Sequence, residues 1–259
     1  MNRLRTLAQR ALTVQQIVGL KQAIEFLSFD TSTRIDSLNQ GAQRTVLVIA
    51  PHPDDEVFGC GGAVALHREI NDIVHVLYVA NGAAGTRDGK TDANLIHIRE
   101  KEAKAGLELL GGAQSLFWDI PDGTVSPTAQ NIDKLRTLIE KINPQLIYTP
   151  WVHDNHPDHQ AATKILLATI QPSDTYTVRQ YEIWSPLIPN TYVPIKSVIK
   201  KKLDACYAHE SQLITRGYAD GIIGLNSYRG MQAGIDGPAE AYLELNAPQT
   251  LQLSRSFSH

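Results

Sequence analysis

The chain has 259 residues, 42% hydrophobic and 20% charged, with a formal net charge of −3. This is the balance of a globular protein with a sizeable core, and a near-neutral chain carries no electrostatic footprint for nucleic acid. Two cysteines, Cys60 and Cys206, are too few for a disulfide framework.

Residues 1–43 read as an N-terminal helical extension followed by a linker. Ile17, Leu20, Ile24 and Leu27 fall at spacings of three and four, one apolar helical stripe. Such a stripe packs on the main domain or on a sister subunit, so homo-oligomerisation is an expectation. Arg3, Arg5 and Arg10 resemble the start of a signal peptide, but no unbroken apolar stretch or small-residue cleavage site follows. No apolar run approaches the ~20 residues that span a bilayer. A cytoplasmic protein without stable membrane insertion is expected. Asp30 to Gly41 is polar and reads as the linker.

From residue 44 to 259 the pattern is that of a single domain. Thr45–Ala50, Ile73–Val79 and Gln145–Thr149 are short apolar, β-branched runs, suited to strands buried on both faces. Ser115–Trp118 is a weaker strand candidate. Helical patterns fall between them: Cys60 to Glu69; Leu95 to Leu110, stopped by Gly111-Gly112; Ile132 to Ile142, stopped by Asn143-Pro144; and Ala162 to Ile170. Residues 175–195 suggest further strands and 196–212 a further helix. The alternation predicts an α/β fold, a Rossmann-like three-layer αβα sandwich with a mainly parallel sheet.

Two strings stand at strand ends: Pro51-His52-Pro53-Asp54-Asp55-Glu56 and His156-Pro157-Asp158-His159. Open α/β sheets bind ligands beyond the carboxyl ends of their strands, so both should meet on one edge. His52, Asp55 and His159 are a plausible three-ligand set for a divalent metal, which would acidify water and polarise a carbonyl. Asp54 is then placed as general base, and His156 as acid or oxyanion stabiliser. Asp158 is expected to orient His156. Either string alone is more often a polar turn; it is their conjunction at two strand ends that points to chemistry. Two histidines and one carboxylate suit Zn²⁺ and also accept Fe²⁺ or another divalent ion.

Ala50-Pro51-His52-Pro53-Asp54-Asp55-Glu56 with Gly59-Cys60-Gly61-Gly62, and His156-Pro157-Asp158-His159, resemble the two signatures of the PIG-L/LmbE-like N-deacetylases. Arg99-x-x-Glu102, Trp118 to Gly123, Lys202, His209-x-Ser211-Gln212 and Ala239 to Tyr242 resemble its weaker elements, so the similarity runs over residues 45–245. The resemblance implies a zinc-dependent hydrolase that deacetylates an N-acetylglucosamine-containing small-molecule conjugate, as in thiol-cofactor biosynthesis. It implies metal ligation by His52, Asp55 and His159, Asp54 as base, His156 partnered by Asp158, and Arg99 on the sugar hydroxyls. The family's Thr-x-Gly-Glu string is replaced here by Asn81 to Thr86, without its carboxylate. Alternatives are an amidase on another small amide, such as a thiol–sugar conjugate, or a non-catalytic sugar-conjugate binder.

By residue type alone, Arg99 reads as a solvated helix arginine and His153 and Asp154 as solvated loop residues. Lys200-Lys201-Lys202 reads as a solvated helix start. Cys60 reads as a small buried residue at a close helix–turn contact, and His75 as a satisfied core or interface histidine. Tyr228-Arg229-Gly230 reads as a loop near the site.

Overall fold

The computed structural model describes residues 33–38, 41–86, 90–214 and 217–255. The stripe formed by Ile17, Leu20, Ile24 and Leu27 lies outside them. The elements run β1 (Arg34–Ile35), β2 (Thr45–Ala50), α1 (Asp55–Glu69), β3 (Ile73–Ala80), α2 (Ala93–Leu109), β4 (Gln114–Ile120), α3 (Ala129–Ile142) and β5 (Leu146–Pro150). They continue with α4 (Pro157–Thr169), β6 (Thr177–Tyr181), β7 (Thr191–Pro194), α5 (Ile199–Tyr207), α6 (Glu210–Leu213), α7 (Tyr218–Gln232), β8 (Ala239–Asn246) and α8 (Ala247–Arg255).

The strands form one sheet in the order β1-β7-β8-β6-β5-β2-β3-β4. It is parallel from β6 through β4, while β8 runs antiparallel between β6 and β7. The period-2 pattern explains how β2 is buried on both faces. Val46, Val48 and Ala50 pack with Val57, Val64, Leu107 and Cys206 of α1, α2 and α5. Leu47 and Ile49 pack with Leu135, Ile139, Ile165 and Leu166 of α3 and α4 on the other side. Each such fully buried aliphatic side chain contributes roughly 1.5–3 kcal/mol. The result is the expected three-layer sandwich.

Helix ends follow their local chemistry. Asp92 and Thr128 cap α2 and α3 by accepting the N–H of Asn94 and Asn131. Gly111 and Gly112, at φ 104° and 80°, close α2, and Asn143, at φ 47°, closes α3.

Three sequence readings need correction. Arg34–Ile35, inside the expected linker, pairs with Thr191–Tyr192 as an edge strand. Tyr228-Arg229-Gly230 is helical, in α7, because buried Arg229 is drawn inward by Glu182 and the carbonyl of Leu187. Lys202 is fully buried rather than solvated, its Nζ 2.6 Å from Glu240 Oε1.

That last pair repairs α1. The helix is interrupted at Cys60, whose φ of −143° leaves the following turn as a new helix start with unpaired N–H groups. Glu240 accepts the N–H of Gly62 at 2.7 Å and of Ala63 at 2.8 Å, and the hydroxyl of Tyr242 at 2.6 Å. The glycines permit the approach: a Cβ on Gly62 would lie 2.5 Å from Ile195, and one on Gly59 2.2 Å from the Tyr181 ring. Cys60 is buried there, as expected.

What matters for the site is strand order. From β2 the chain proceeds to β3 and β4 on one side, then returns to β5 and β6 on the other. The carboxyl ends of β2 and β5 are therefore neighbours at a topological switch point, where a crevice opens.

Candidate active site

The turn after β2, the loop after β5 with the first turn of α4, and Arg99 of α2 bring every residue singled out for the site into one cavity of about 410 Å³. In the first, Asp54 N–H donates to the carbonyl of His52 at 2.9 Å, and Pro51 O accepts from Ala80 N–H at the end of β3. Asp55 opens α1, and its Oδ2 accepts the N–H of His52 at 2.8 Å. In the second, His156 caps α4, its Nδ1 accepting the N–H of Asp158 at 3.2 Å, and Pro157 supplies the preset first helical residue.

One oxygen is the focus. Asp55 Oδ2 lies 3.2 Å from His52 Nδ1 and 3.2 Å from His159 Nε2. Each imidazole meets a second carboxylate with its other nitrogen: His52 Nε2 is 3.1 Å from Asp158 Oδ2, and His159 Nδ1 is 3.3 Å from Asp154 Oδ1. Ring nitrogens of His52, His156 and His159 lie within 4.8 Å of one another.

Electrostatics follow from this crowding. Burial opposes charge on His52, but Asp158 and Asp55 outweigh it and hold the ring up to about 10. Burial likewise opposes charge on His159, and Asp55 and Asp154 raise it to about 9. Burial pushes Asp54 up to about 6; Arg99 pulls it down and Asp55 adds to the rise. His156 is lowered from its ordinary value by burial and by the neighbouring imidazoles. Carboxylates thus demand positive charge at this spot. Both ring nitrogens of His159 are buried and engaged in no hydrogen bond, Nε2 facing Asp55 and Nδ1 facing Asp154. A divalent cation fits that donor set and charge.

Asp54 Oδ2 is 3.0 Å from Arg99 Nη2. Arg99 is only 3% exposed, not a solvated helix residue. Its guanidinium also donates to Gly82 O and Pro53 O, each at 3.2 Å. A Cβ on Gly82 or Gly85 would stand 2.9 or 2.5 Å from that guanidinium, so the glycines of the 81–86 loop make its berth. Asp122 fixes the same loop by accepting the N–H of Gly82 and of Ala84, each at 2.7 Å.

Two further expectations change. Asp158 does not orient the His156 ring; its Oδ2 accepts from Gly123 N–H at 2.8 Å and meets His52. Residues two apart in a helix point to different sides, so only the Asp158 backbone reaches His156. Asp154 is not a solvated loop residue but 0% exposed, while His153 beside it is exposed as expected. An available signal was Asp154-Asn155-His156, an Asx turn in which the carboxylate accepts the N–H two residues on, here at 2.9 Å. His75 is half-buried.

An aromatic wall completes the cavity. Trp184 meets Tyr218 edge-on with centroids 5.6 Å apart, and Tyr218 stacks on Phe58 at 5.4 Å. Under the site, Glu56 accepts from the Tyr78 hydroxyl at 2.7 Å, and burial raises it to about 8. No described helix is long and apolar enough to cross a membrane.

Comparison with known proteins agrees with the site. The model of the GlcNAc-PI de-N-acetylase (PIG-L) family matches residues 47–170. Diacetylchitobiose deacetylase of Thermococcus kodakarensis is 29% identical over 65% of this chain and 70% of its own length. A probable N-acetyl-alpha-D-glucosaminyl L-malate deacetylase 2 of Bacillus anthracis is 30% identical over 70% of this chain and 89% of its own. Among solved structures, GalB, a 4-carboxy-2-hydroxymuconate hydratase from Pseudomonas putida, superposes with a TM-score of 0.66 at 23% identity. That match covers 78% of this chain and 96% of GalB. It shows a shared fold, which by itself does not choose a reaction.

Proposed function

We propose, starting from the fact that the chain belongs to the PIG-L (GlcNAc-PI de-N-acetylase) family, that it is a metal-dependent hydrolase of an N-acetylglucosamine-containing conjugate, releasing acetate and the free amino sugar. The observation that carries this reading is the convergence of two acid-backed imidazoles on Asp55 Oδ2, with the Asp54 carboxylate next in sequence and held by Arg99. The ion would be held by His52, Asp55 and His159, and zinc suits that set. Bound there, it supplies Lewis acidity that polarises an amide carbonyl and acidifies water.

The chain's own groups do the rest. Asp54 takes the proton of the attacking water; burial keeps it basic enough to hold that proton, and Arg99 keeps it ionised beforehand. His156, anchored through Nδ1, presents Nε2–H to the oxygen on which charge develops, and Asp54 returns the proton it took to the departing nitrogen. Asp158 keeps His52 in the tautomer that offers Nδ1. With its guanidinium on Asp54, Arg99 acts first on the base, and its contact with sugar hydroxyls is secondary. The aromatic wall of Trp184 and Tyr218 offers an apolar face to the C–H side of a sugar ring.

The test is release of amine and acetate from N,N'-diacetylchitobiose and N-acetylglucosaminyl malate, using zinc-loaded and chelator-stripped protein in parallel. Equimolar, metal-dependent release of both products is the expected outcome. Metal-loaded protein that releases neither product from these and a wider panel of N-acetylglucosamine conjugates overturns the reading.

A further inference from the structure

We infer that Asp154 is a positioning residue for the metal centre, holding the His159 imidazole so that Nε2 faces the ion and fastening two walls of the cavity around it. This rests on the reading above that His159 binds a divalent cation.

Asp154 lies on the loop between β5 and α4, outside both sequence signatures. Its carboxylate is fully buried, which costs several kcal/mol unless donors compensate. Both oxygens have partners. Oδ1 accepts the N–H of His156 at 2.9 Å and lies 3.3 Å from His159 Nδ1; Oδ2 accepts the N–H of Trp184 at 3.0 Å. One side chain thus joins the cap of α4, the ring of His159 and the segment that carries the aromatic wall.

The consequence for His159 follows from its tautomers. A carboxylate beside Nδ1 favours a proton on Nδ1, which leaves the Nε2 lone pair directed at Asp55 Oδ2, 3.2 Å away. Two acceptors facing each other at that distance repel unless a proton or a cation lies between them, and a bound cation takes the proton's place. Asp158 imposes the same choice on His52 from the other side, with Nε2 toward the carboxylate and Nδ1 toward Asp55. The arrangement is therefore doubled: each ligand imidazole is backed by its own buried carboxylate. Asp154 also sets the ring plane of His159, because its own placement is fixed by backbone donors rather than by the ring.

The experiment uses the full chain and zinc and cobalt ions. Zinc affinity is measured by competition with a chromophoric chelator, and the cobalt-loaded protein gives a visible ligand-field spectrum. Asp154→Asn is expected to weaken zinc binding by about 10–100-fold and to shift the cobalt bands. Gln160→Leu is the control for loop fastening. It removes the Gln160 Nε2 bond to the Asp154 carbonyl, 2.9 Å long, and leaves the carboxylate in place; it should bind zinc within about twofold of wild type. If Asp154→Asn does not fold by circular dichroism, Asp154→Ser is read in the same way. Zinc affinity and cobalt spectrum unchanged in a folded Asp154 variant overturn the inference while leaving the proposed function standing. Equal weakening in Gln160→Leu overturns it as well, since the effect would then belong to the loop. Wild-type protein that binds neither ion overturns both.

Discussion

Lys202→Met is the substitution whose cost the structure fixes best. Methionine keeps most of the apolar stem and removes the charge. Glu240 then remains as a buried carboxylate with three donors, the N–H groups of Gly62 and Ala63 and the hydroxyl of Tyr242. Breaking a buried ion pair from one side costs about 3–5 kcal/mol, and the surviving donors place this case near the lower limit, about 3 kcal/mol. Against a total stability of roughly 5–15 kcal/mol, that is a large share. For a domain of this size it corresponds to a melting temperature lower by about 6–12 °C. Urea unfolding at pH 7.5 measures it, with the slope checked against wild type. Adding Glu240→Gln removes the stranded charge, so the double variant should be more stable than the sum of the two single losses predicts. A Lys202→Met cost below about 1 kcal/mol, or strict additivity in the double variant, would refute the claim that this pair repairs the break in α1.

The other predictions concern the site and its surroundings. Asp54→Asn should lower kcat by about 10²–10⁴-fold while zinc affinity, measured by chelator competition, stays close to wild type; full turnover would remove the base assignment. Trp184→Ala should raise KM for a sugar-conjugate substrate with kcat little changed, since the wall binds ground and transition states alike, and steady-state kinetics distinguish the two parameters. His209 is fully buried with neither ring nitrogen hydrogen-bonded, and burial lowers it to about 3, so the folded state requires it neutral. Above its unfolded value of about 6.5 it has no pH effect; below that, only the unfolded state takes up the proton, and stability falls until about pH 3. At pH 5 the loss is roughly 2 kcal/mol. His209→Leu should flatten this part of the stability–pH curve, and an unchanged slope in urea titrations at pH 5 and 7.5 would show that the ring protonates in the fold.

The sequence by itself determined the layers and the place of the chemistry. Alternating Val46, Leu47, Val48 and Ile49 can be satisfied only by a strand covered on both faces, and three such runs separated by helical patterns define a parallel sheet. Histidines and aspartates directly after two of those runs had to lie on one sheet edge, so His52, Asp54, Asp55, His156 and His159 were legible without coordinates. These inferences rest on local periodicity, a property of consecutive residues. What tertiary structure decided was the fate of individual charges. Arg99 and Lys202 look like solvent-facing residues because nothing near them in the chain satisfies a buried charge, and Asp154 because its near-chain partners, the His156 N–H and the His159 ring, meet only one of its two oxygens. The missing partners come from elsewhere: Asp54 from the turn after β2, Trp184 from the segment after β6, Glu240 from β8. The same holds for Asp158, whose neighbour in sequence is His156 but whose carboxylate is directed by the helix toward His52. A buried charge is stable only with the groups that surround it in three dimensions, and those groups arrive through chain crossings that no local pattern encodes.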